Sequence, residues 1–358
     1  MKHIRMIALL MALLMLCGCG AQTVAETVPT TEVTETVPAS AAVTEIQETA
    51  PAEEKADFSD LVFDTENDPG TLTARYLYMN KAMGTGSDYV YSGDCSVYTS
   101  PDGFVMLVDT SNQISGADVI AQLRLMGVTS IDILVLSHPH ADHVGGFCEI
   151  ADTFPIGQVY INGHDYSSAT YQKCVTKMKE LDIPCDSLTA GDSFSFGEQV
   201  QVQIFGPQAG ETDEVAAGYQ DANDASVAMR LTYGESSFWT SGDLYVSGEE
   251  KIVELYGEEI SSDVVKLNHH GKDTSNGRNF AKQMNCLVAV GMNDNVGSVT
   301  VARRFAAAGA QVFYNSCDGA VRIRTSGDGT YQVQTQFLRE LEILPAPSED
   351  GSYTISRS

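Results

Sequence analysis

The segment Ser137-His138-Pro139-His140-Ala141-Asp142-His143 constrains this chain more than any other, because it packs three imidazoles and a carboxylate into six positions. It follows directly on the apolar run 131–136, which reads as a buried strand. In extended backbone, residues two apart face the same way, so His138 and His140 form a pair able to hold one ion. The chain then turns at Ala141 and sends Asp142 and His143 elsewhere, which favours two adjacent ions over one. Gly145 and Gly146 let another stretch of backbone pass close by. The chain has seven histidines, and five of them fall in this cluster or in His269-His270, at the end of a second apolar run, 263–267. Histidine used so sparingly and then bunched reads as metal binding.

Asp243 ends a distant strand and supplies a carboxylate that can bridge two ions. His269 or His270 closes the second site. The donors are nitrogen and oxygen without thiolate, which suits Zn²⁺ and permits Mn²⁺ or Fe. Two such ions would share a water and lower its pKa toward neutrality. The implied chemistry is hydrolysis at a carbonyl or phosphorus centre, with Asp142, Asp243 and His269 as catalytic residues.

Residues 1–19 pair a basic start (Lys2, Arg5) with the apolar stretch 6–16, too short to span a bilayer. The stretch ends in Leu16-Cys17-Gly18-Cys19, which resembles a bacterial lipobox. It implies cleavage before Cys19, lipidation of its thiol, and anchoring on the extracellular face of the cell membrane. Residues 20–57 hold eight acids, one base and no aromatic residue, and read as a disordered tether. One domain, 58–336, is expected next, and then a tail, 337–358, of no legible role.

Beyond the tether the chain carries 40 acids against 18 lysines and arginines, a net charge of −22. Nucleic-acid affinity comes largely from neutralising phosphates, so a polyanionic partner is disfavoured. A small-molecule or cell-envelope substrate fits better. Six cysteines follow Cys19, none in a CxxC arrangement, and they read as free thiols.

Strands are expected at 96–100, 104–108, 131–136, 158–161, 200–205, 227–233, 237–240, 263–267, 287–290, 312–314, 321–324 and 331–336. Helices are expected at 117–126, 169–181, 246–256 and 301–308. Asp109, His138, Asp243 and His269 then sit at or just past the C-terminal ends of apolar strands, where a rigid scaffold places chemistry.

These residues resemble the metallo-beta-lactamase superfamily over about residues 72–325. HxHxDH is the most specific motif. Asp109 matches a buttressing aspartate, Asp243 the bridging aspartate, and His269-His270 the last histidine ligand, with His270 preferred as the ligand and His269 as its outer partner or an acid. The resemblance implies an α/β fold, the four-layer αβ/βα sandwich, with a dinuclear site at one edge of two packed sheets. Gly93-Asp94, Pro101-Asp102-Gly103, Asn223-Asp224-Ala225-Ser226, Ser241-Gly242-Asp243 and Lys266-Leu267-Asn268-His269-His270 are similar to the hydrolase domain of ComEC-type competence proteins and to secreted phosphorylcholine esterases. One position departs: Asn223 stands where many members have a histidine. Asn223 or His164 is then left to complete the first site. The resemblance implies a phosphodiester hydrolase. Its alternatives are an extracellular nuclease and a non-enzymatic binding protein. Specificity is expected in the polar loop 206–222.

Overall fold

The computed structural model of the chain describes residues 56–85, 88–216, 218, 221–339 and 349–357. The leader, Cys19 and nearly all of the tether lie outside the described residues. Six strands come first: β1 (Leu72–Tyr76), β2 (Ser96–Thr99), β3 (Val105–Val108), β4 (Ile131–Val135), β5 (Ile156–Ile161) and β6 (Cys185–Ser187). Seven more form the second sheet: β7 (Ser193–Phe196), β8 (Val200–Gly206), β9 (Ala228–Tyr233), β10 (Ser236–Thr240), β11 (Val264–Lys266), β12 (Val288–Gly291) and β13 (Gln311–Tyr314). The chain then returns to the first sheet with β14 (Val321–Thr325), β15 (Thr330–Thr335) and β16 (Ser352–Ser356). The sheet orders are β16-β15-β14-β1-β2-β3-β4-β5-β6 and β13-β12-β11-β10-β9-β8-β7.

Strand alternation builds the layers. On β10, Phe238 points into the core between the sheets and Trp239 points to the helices outside. The inter-sheet core joins Ala74, Tyr98, Met106 and Val135 of one sheet to Val202, Met229, Val264 and Val288 of the other. Helices Gly116–Leu125, Phe147–Thr153 and Ala169–Glu180 cover the first sheet, with Leu123, Phe147, Ile150 and Met178 buried on Leu107, Leu134 and Val159. Helices Val246–Tyr256, Arg278–Met284 and Val299–Ala307 cover the second through Ile252, Phe280 and Phe305. Each such fully buried side chain contributes about 1.5–3 kcal/mol. The result is the αβ/βα sandwich.

The hairpin around Pro101-Asp102-Gly103 forms as β2 against β3, antiparallel. The sequence reading passed over β1, whose five residues are all buried. Arg75 lies among them, held by Asp68 at 2.7 Å, so neither face alternates. In the segment of no legible role, β16 pairs with β15 and widens the first sheet. The six cysteines are free thiols; Cys95, Cys174 and Cys286 are buried, and Cys185 is exposed. Among the described residues, no helix is long and apolar enough to cross a membrane.

Candidate metal centre

The centre forms where strand ends of the two sheets meet. In the first sheet β3 and β4 run parallel, and in the second so do β10 and β11. Asp109 follows β3, His138 follows β4, Asp243 follows β10, and His269-His270 follow β11. Contact between the sheets at this edge needs glycine. Gly242 has φ 51°, and a Cβ there would stand 2.6 Å from Ser137 Oγ. Gly93 has φ 87°, and a Cβ there would stand 2.2 Å from the Asp142 carbonyl oxygen. Gly242 thus lets the loop of Asp243 lie against that of His138, and Gly93 sets Asp94 beside Asp142. Gly145 and Gly146 lie against the backbone of Gln113 and Thr110.

After β4 the backbone bends at His138 and Pro139, is extended at His140, and then makes one helical turn, Ala141–Val144. That turn carries Asp142 and His143, and it brings the His143 ring to 4.1 Å from the His138 ring, against 4.7 Å between His138 and His140. The His143 ring is fixed at Nδ1, which lies 2.8 Å from Asp109 Oδ2. Its Nε2 faces Asp243 Oδ1 at 3.2 Å and Asp142 Oδ2 at 3.9 Å. His270 repeats the arrangement from the other sheet. Its Nδ1 lies 2.9 Å from Asp94 Oδ1, and its Nε2 is 3.1 Å from Asp142 Oδ2 and 3.2 Å from Asp243 Oδ2. A carboxylate on one ring nitrogen fixes tautomer and orientation and leaves the other nitrogen free to ligate.

His138 is held less directly. Ser137 Oγ donates to Asp109 Oδ2 at 2.8 Å and lies 3.0 Å from His138 Nδ1. His138 Nε2 then faces His140 Nδ1 at 3.2 Å and Asp243 Oδ2 at 4.0 Å. Asn223 is buried in the turn Ala222–Ala225, ahead of β9, and its Oδ1 has no hydrogen-bond partner. His164 is buried elsewhere in the loop after β5; the Tyr166 ring lies 5.5 Å from it and 5.7 Å from His140. His269 is half-buried at the mouth, with Nε2 3.8 Å from Asp243 Oδ2 and 3.3 Å from Lys272 Nζ, and Nδ1 2.6 Å from Thr274 Oγ1. The structure therefore gathers His138, His140, Asp142, His143, Asp243 and His270, sets His269 at the rim, and leaves His164 behind Tyr166.

The electrostatics call for cations. Asp94, Asp109, Asp142 and Asp243 converge here with Lys266 the one buried lysine among them, 2.6 Å from Asp94 Oδ2. Burial opposes charge on His143, yet Asp243 and Asp109 outweigh it and raise its pKa well above normal. Asp243 and Asp94 do the same for His270. Burial, reinforced by His143, pushes His138 the other way. Asp142 is held below the usual carboxylate range, because His143 and His270 outweigh its burial. His143 Nε2 and Asp243 Oδ1, both buried, lack hydrogen-bond partners. An imidazole nitrogen and a carboxylate oxygen left unpaired 3.2 Å apart and backed by excess negative charge fit divalent metal.

Sequence reasoning placed Asp94 in a pattern but gave it no role. Asp94, His143, Asp243 and His270 are the four metal-competent residues whose ligand atoms lie within 4.8 Å of one another. Because both Asp94 oxygens are engaged, by His270 and Lys266, its role is to orient rather than to ligate. Tyr91 was also missed; its ring stacks on His270 at 5.5 Å with Lys272 Nζ 4.2 Å from the ring centre. No local signal marks either residue, since both matter only through a histidine far away in sequence. The backbone here is strained: His269 and His270 have φ 46° and 56°. The left-handed region costs an L-residue about 1–2 kcal/mol, so the surrounding structure must impose it.

Residues 88–283 match the sequence model of the metallo-beta-lactamase superfamily. Among curated relatives, competence protein ComA of Neisseria gonorrhoeae is 26% identical over 259 residues, 68% of this chain and 33% of that protein. ComE operon protein 3 of Bacillus subtilis (strain 168) is 23% identical over 179 residues, 49% of this chain and 22% of that protein. The chain thus matches a third or less of the length of these two relatives. Among solved structures, CmlA, a diiron beta-hydroxylase from Streptomyces venezuelae, matches with TM-score 0.43 and 14% identity over 68% of this chain and 52% of that one. With the family match spanning more than half of its length and the motif residues gathered at one sheet edge, the chain belongs to the metallo-beta-lactamase superfamily.

Proposed function

We propose that this protein is a surface-anchored, dinuclear metal-dependent hydrolase of phosphodiesters. One observation carries the metal reading: His143 and His270, from different sheets, each have Nδ1 against a buried aspartate and turn Nε2 onto Asp142 and Asp243. One site comprises Asp142, His143, His270 and Asp243; the other comprises His138, His140 and Asp243. Zn²⁺ or Mn²⁺ held there supplies Lewis acidity and lowers the pKa of water.

The chain's own residues do the rest. Asp243 has one oxygen toward His143 and the other toward His270 and His138, so it serves both sites. Burial lowers the His269 pKa to about 4, so its ring is neutral near pH 7 and accepts from Lys272. The His269–Lys272 pair at the mouth is assigned to steadying the leaving-group oxygen. Tyr91, Tyr166 and Tyr245, all half-buried, lie against His270, His140 and His269 respectively.

The phosphodiester assignment is supported by the resemblance to competence proteins and phosphorylcholine esterases. The net charge of −22 argues for small or envelope-bound esters over a polynucleotide. Anchoring rests on the lipobox at Cys19. The test is a panel of model phosphodiesters, phosphomonoesters, lactams and plasmid DNA with Zn²⁺ and Mn²⁺. Diester turnover that vanishes in Asp142→Ala and Asp243→Ala supports the reading. Undiminished turnover in either variant refutes it, and DNA cleavage without small-diester turnover would turn it into a nuclease. Membrane fractionation of cells with and without Cys19→Ser tests the anchor.

A further inference from the structure

The left-handed backbone of His269 and His270 is imposed from outside the centre. The 269–277 loop is closed across its base by two asparagines. Asn268 N donates to Asn276 Oδ1 at 3.0 Å, and Asn276 Nδ2 donates to Asn268 O at 2.8 Å. Asn276 is itself left-handed, with φ 65°. Beneath this closure lies Glu249, 0% exposed, in the first turn of the helix Val246–Tyr256. Its Oε1 accepts from Asn268 Nδ2 at 2.6 Å and from Asn276 N at 2.5 Å, and its Oε2 accepts from Gly277 N at 2.7 Å. Arg304 reaches the same loop through the Asn276 carbonyl.

Glu249 is a buried carboxylate that touches no ligand of the centre, yet its position joins two of them. Its helix begins three residues after Asp243, and the loop it grips begins with His269-His270. The two loops also meet directly, where His269 N donates to Gly242 O at 3.2 Å and Val246 N donates to Thr274 O at 3.1 Å. Asn268 is braced from the strand side as well, by Ser241 Oγ at 2.5 Å, which in turn accepts from Trp239 Nε1 at 2.9 Å.

We propose that Glu249 is a positioning residue for the metal centre: its carboxylate closes the His270 loop onto the helix that follows Asp243, and so sets the spacing of these two ligands. A carboxylate suits the task because all three partners are N–H donors, and once ionised it accepts from them on both oxygens. Glutamine would present an amide N–H to the backbone N–H of Gly277 or Asn276. The proposal rests on the metal reading above, and its test separates the two.

Zinc affinity is measured on the full chain by competition with a chromophoric chelator, in wild type, Glu249→Gln, His270→Ala and the double variant. Glu249→Gln is expected to weaken zinc by about 10-fold, the lower end for outer partners of metal ligands. In the His270→Ala background the same change is expected to do nothing further, since its effect runs through His270. Asn276→Gly keeps the left-handed backbone and removes the side-chain closure, so it covers the case in which Glu249→Gln does not fold. It is expected to weaken zinc with His270 present and not without it. Equal losses in both backgrounds, or a lower melting midpoint with unchanged zinc affinity, would overturn the proposal and leave the metal reading standing. A wild-type chain that binds no zinc would overturn both.

Discussion

The two flanks of the centre are built to different standards. On one, His143 and His270 each have Nδ1 against a buried aspartate, and two further carboxylates, Asp142 and Asp243, stand at their Nε2 atoms. On the other, His138 reaches Asp109 only through Ser137, His140 is half-buried against His138 and Tyr166, and Asn223, a neutral amide, stands in the sequence where many superfamily members have a histidine. The difference is one of charge. A carboxylate behind an imidazole raises its basicity and fixes its ring, and a carboxylate in the ligand set adds negative charge. A serine and an amide supply far less of either. The first flank is therefore expected to fill first with metal.

The most severe break of this comparison is Asp243→Ala, because Asp243 serves both flanks. Metal affinity should fall by more than about 100-fold, the upper limit for outer partners, and turnover should vanish. Elemental analysis after dialysis and a diesterase assay check it; retained metal on either flank contradicts the shared role. Next come the buttresses. Asp109→Asn touches His143 directly and His138 through Ser137, whereas Asp94→Asn touches, of the histidines, His270 alone. Both should weaken zinc roughly 10–100-fold, with Asp109→Asn affecting both binding events and Asp94→Asn only the tighter one. Calorimetric titration resolves the two steps. His140→Ala should cost less affinity in the tighter step than His143→Ala. Equal losses would mean that the flanks are equivalent after all. Asn223→His tests the inequality from the other side, and should tighten the weaker event while leaving the tighter one unchanged.

The smallest expected effect is a pH dependence of the metal-free fold. Burial lifts the Glu249 carboxyl to about 7 against the donors that surround it and Arg304 nearby. In the unfolded chain it titrates at the ordinary glutamate value of 4.5. Between these values the native state holds a proton that the unfolded chain has lost, so this group's contribution to stability falls as pH rises through the window. Denaturant titrations of the metal-free chain at pH 5 and pH 7.5, at the edges of the window from 4.5 to about 7, should show a loss in wild type that is smaller in Glu249→Gln. An identical pH response in the two proteins would refute the assignment.

The strands at 131–136 and 237–240 were legible because apolar runs of that length, ending in polar turns, have few alternatives. So was the helix Val246–Tyr256, whose periodicity is regular. The strand Leu72–Tyr76 was not, because a buried Arg75 paired with Asp68 breaks any pattern a reader can follow. The strand Ser352–Ser356 was not, because a half-exposed edge strand needs no apolar signature. The preference for His270 over His269 rested on resemblance alone; in the fold His270 is buried among Asp94, Asp142 and Asp243, while His269 lies at the rim beside Lys272 and Thr274.

By itself the sequence determined which chemistry is available here: imidazoles and carboxylates at close spacing, without thiolate, each placed where an apolar strand gives way to a turn. That much is local, because strand length, turn residues and donor type are written within a few positions. Only the tertiary structure decided which of those groups share a centre and which are held rigid. Asp94 with His270, Asp109 with His143, and Glu249 with Asn268 are separated by 176, 34 and 19 residues; the first pair meets only when the two sheets come together, and the other two only when β3 pairs with β4 and β10 with β11.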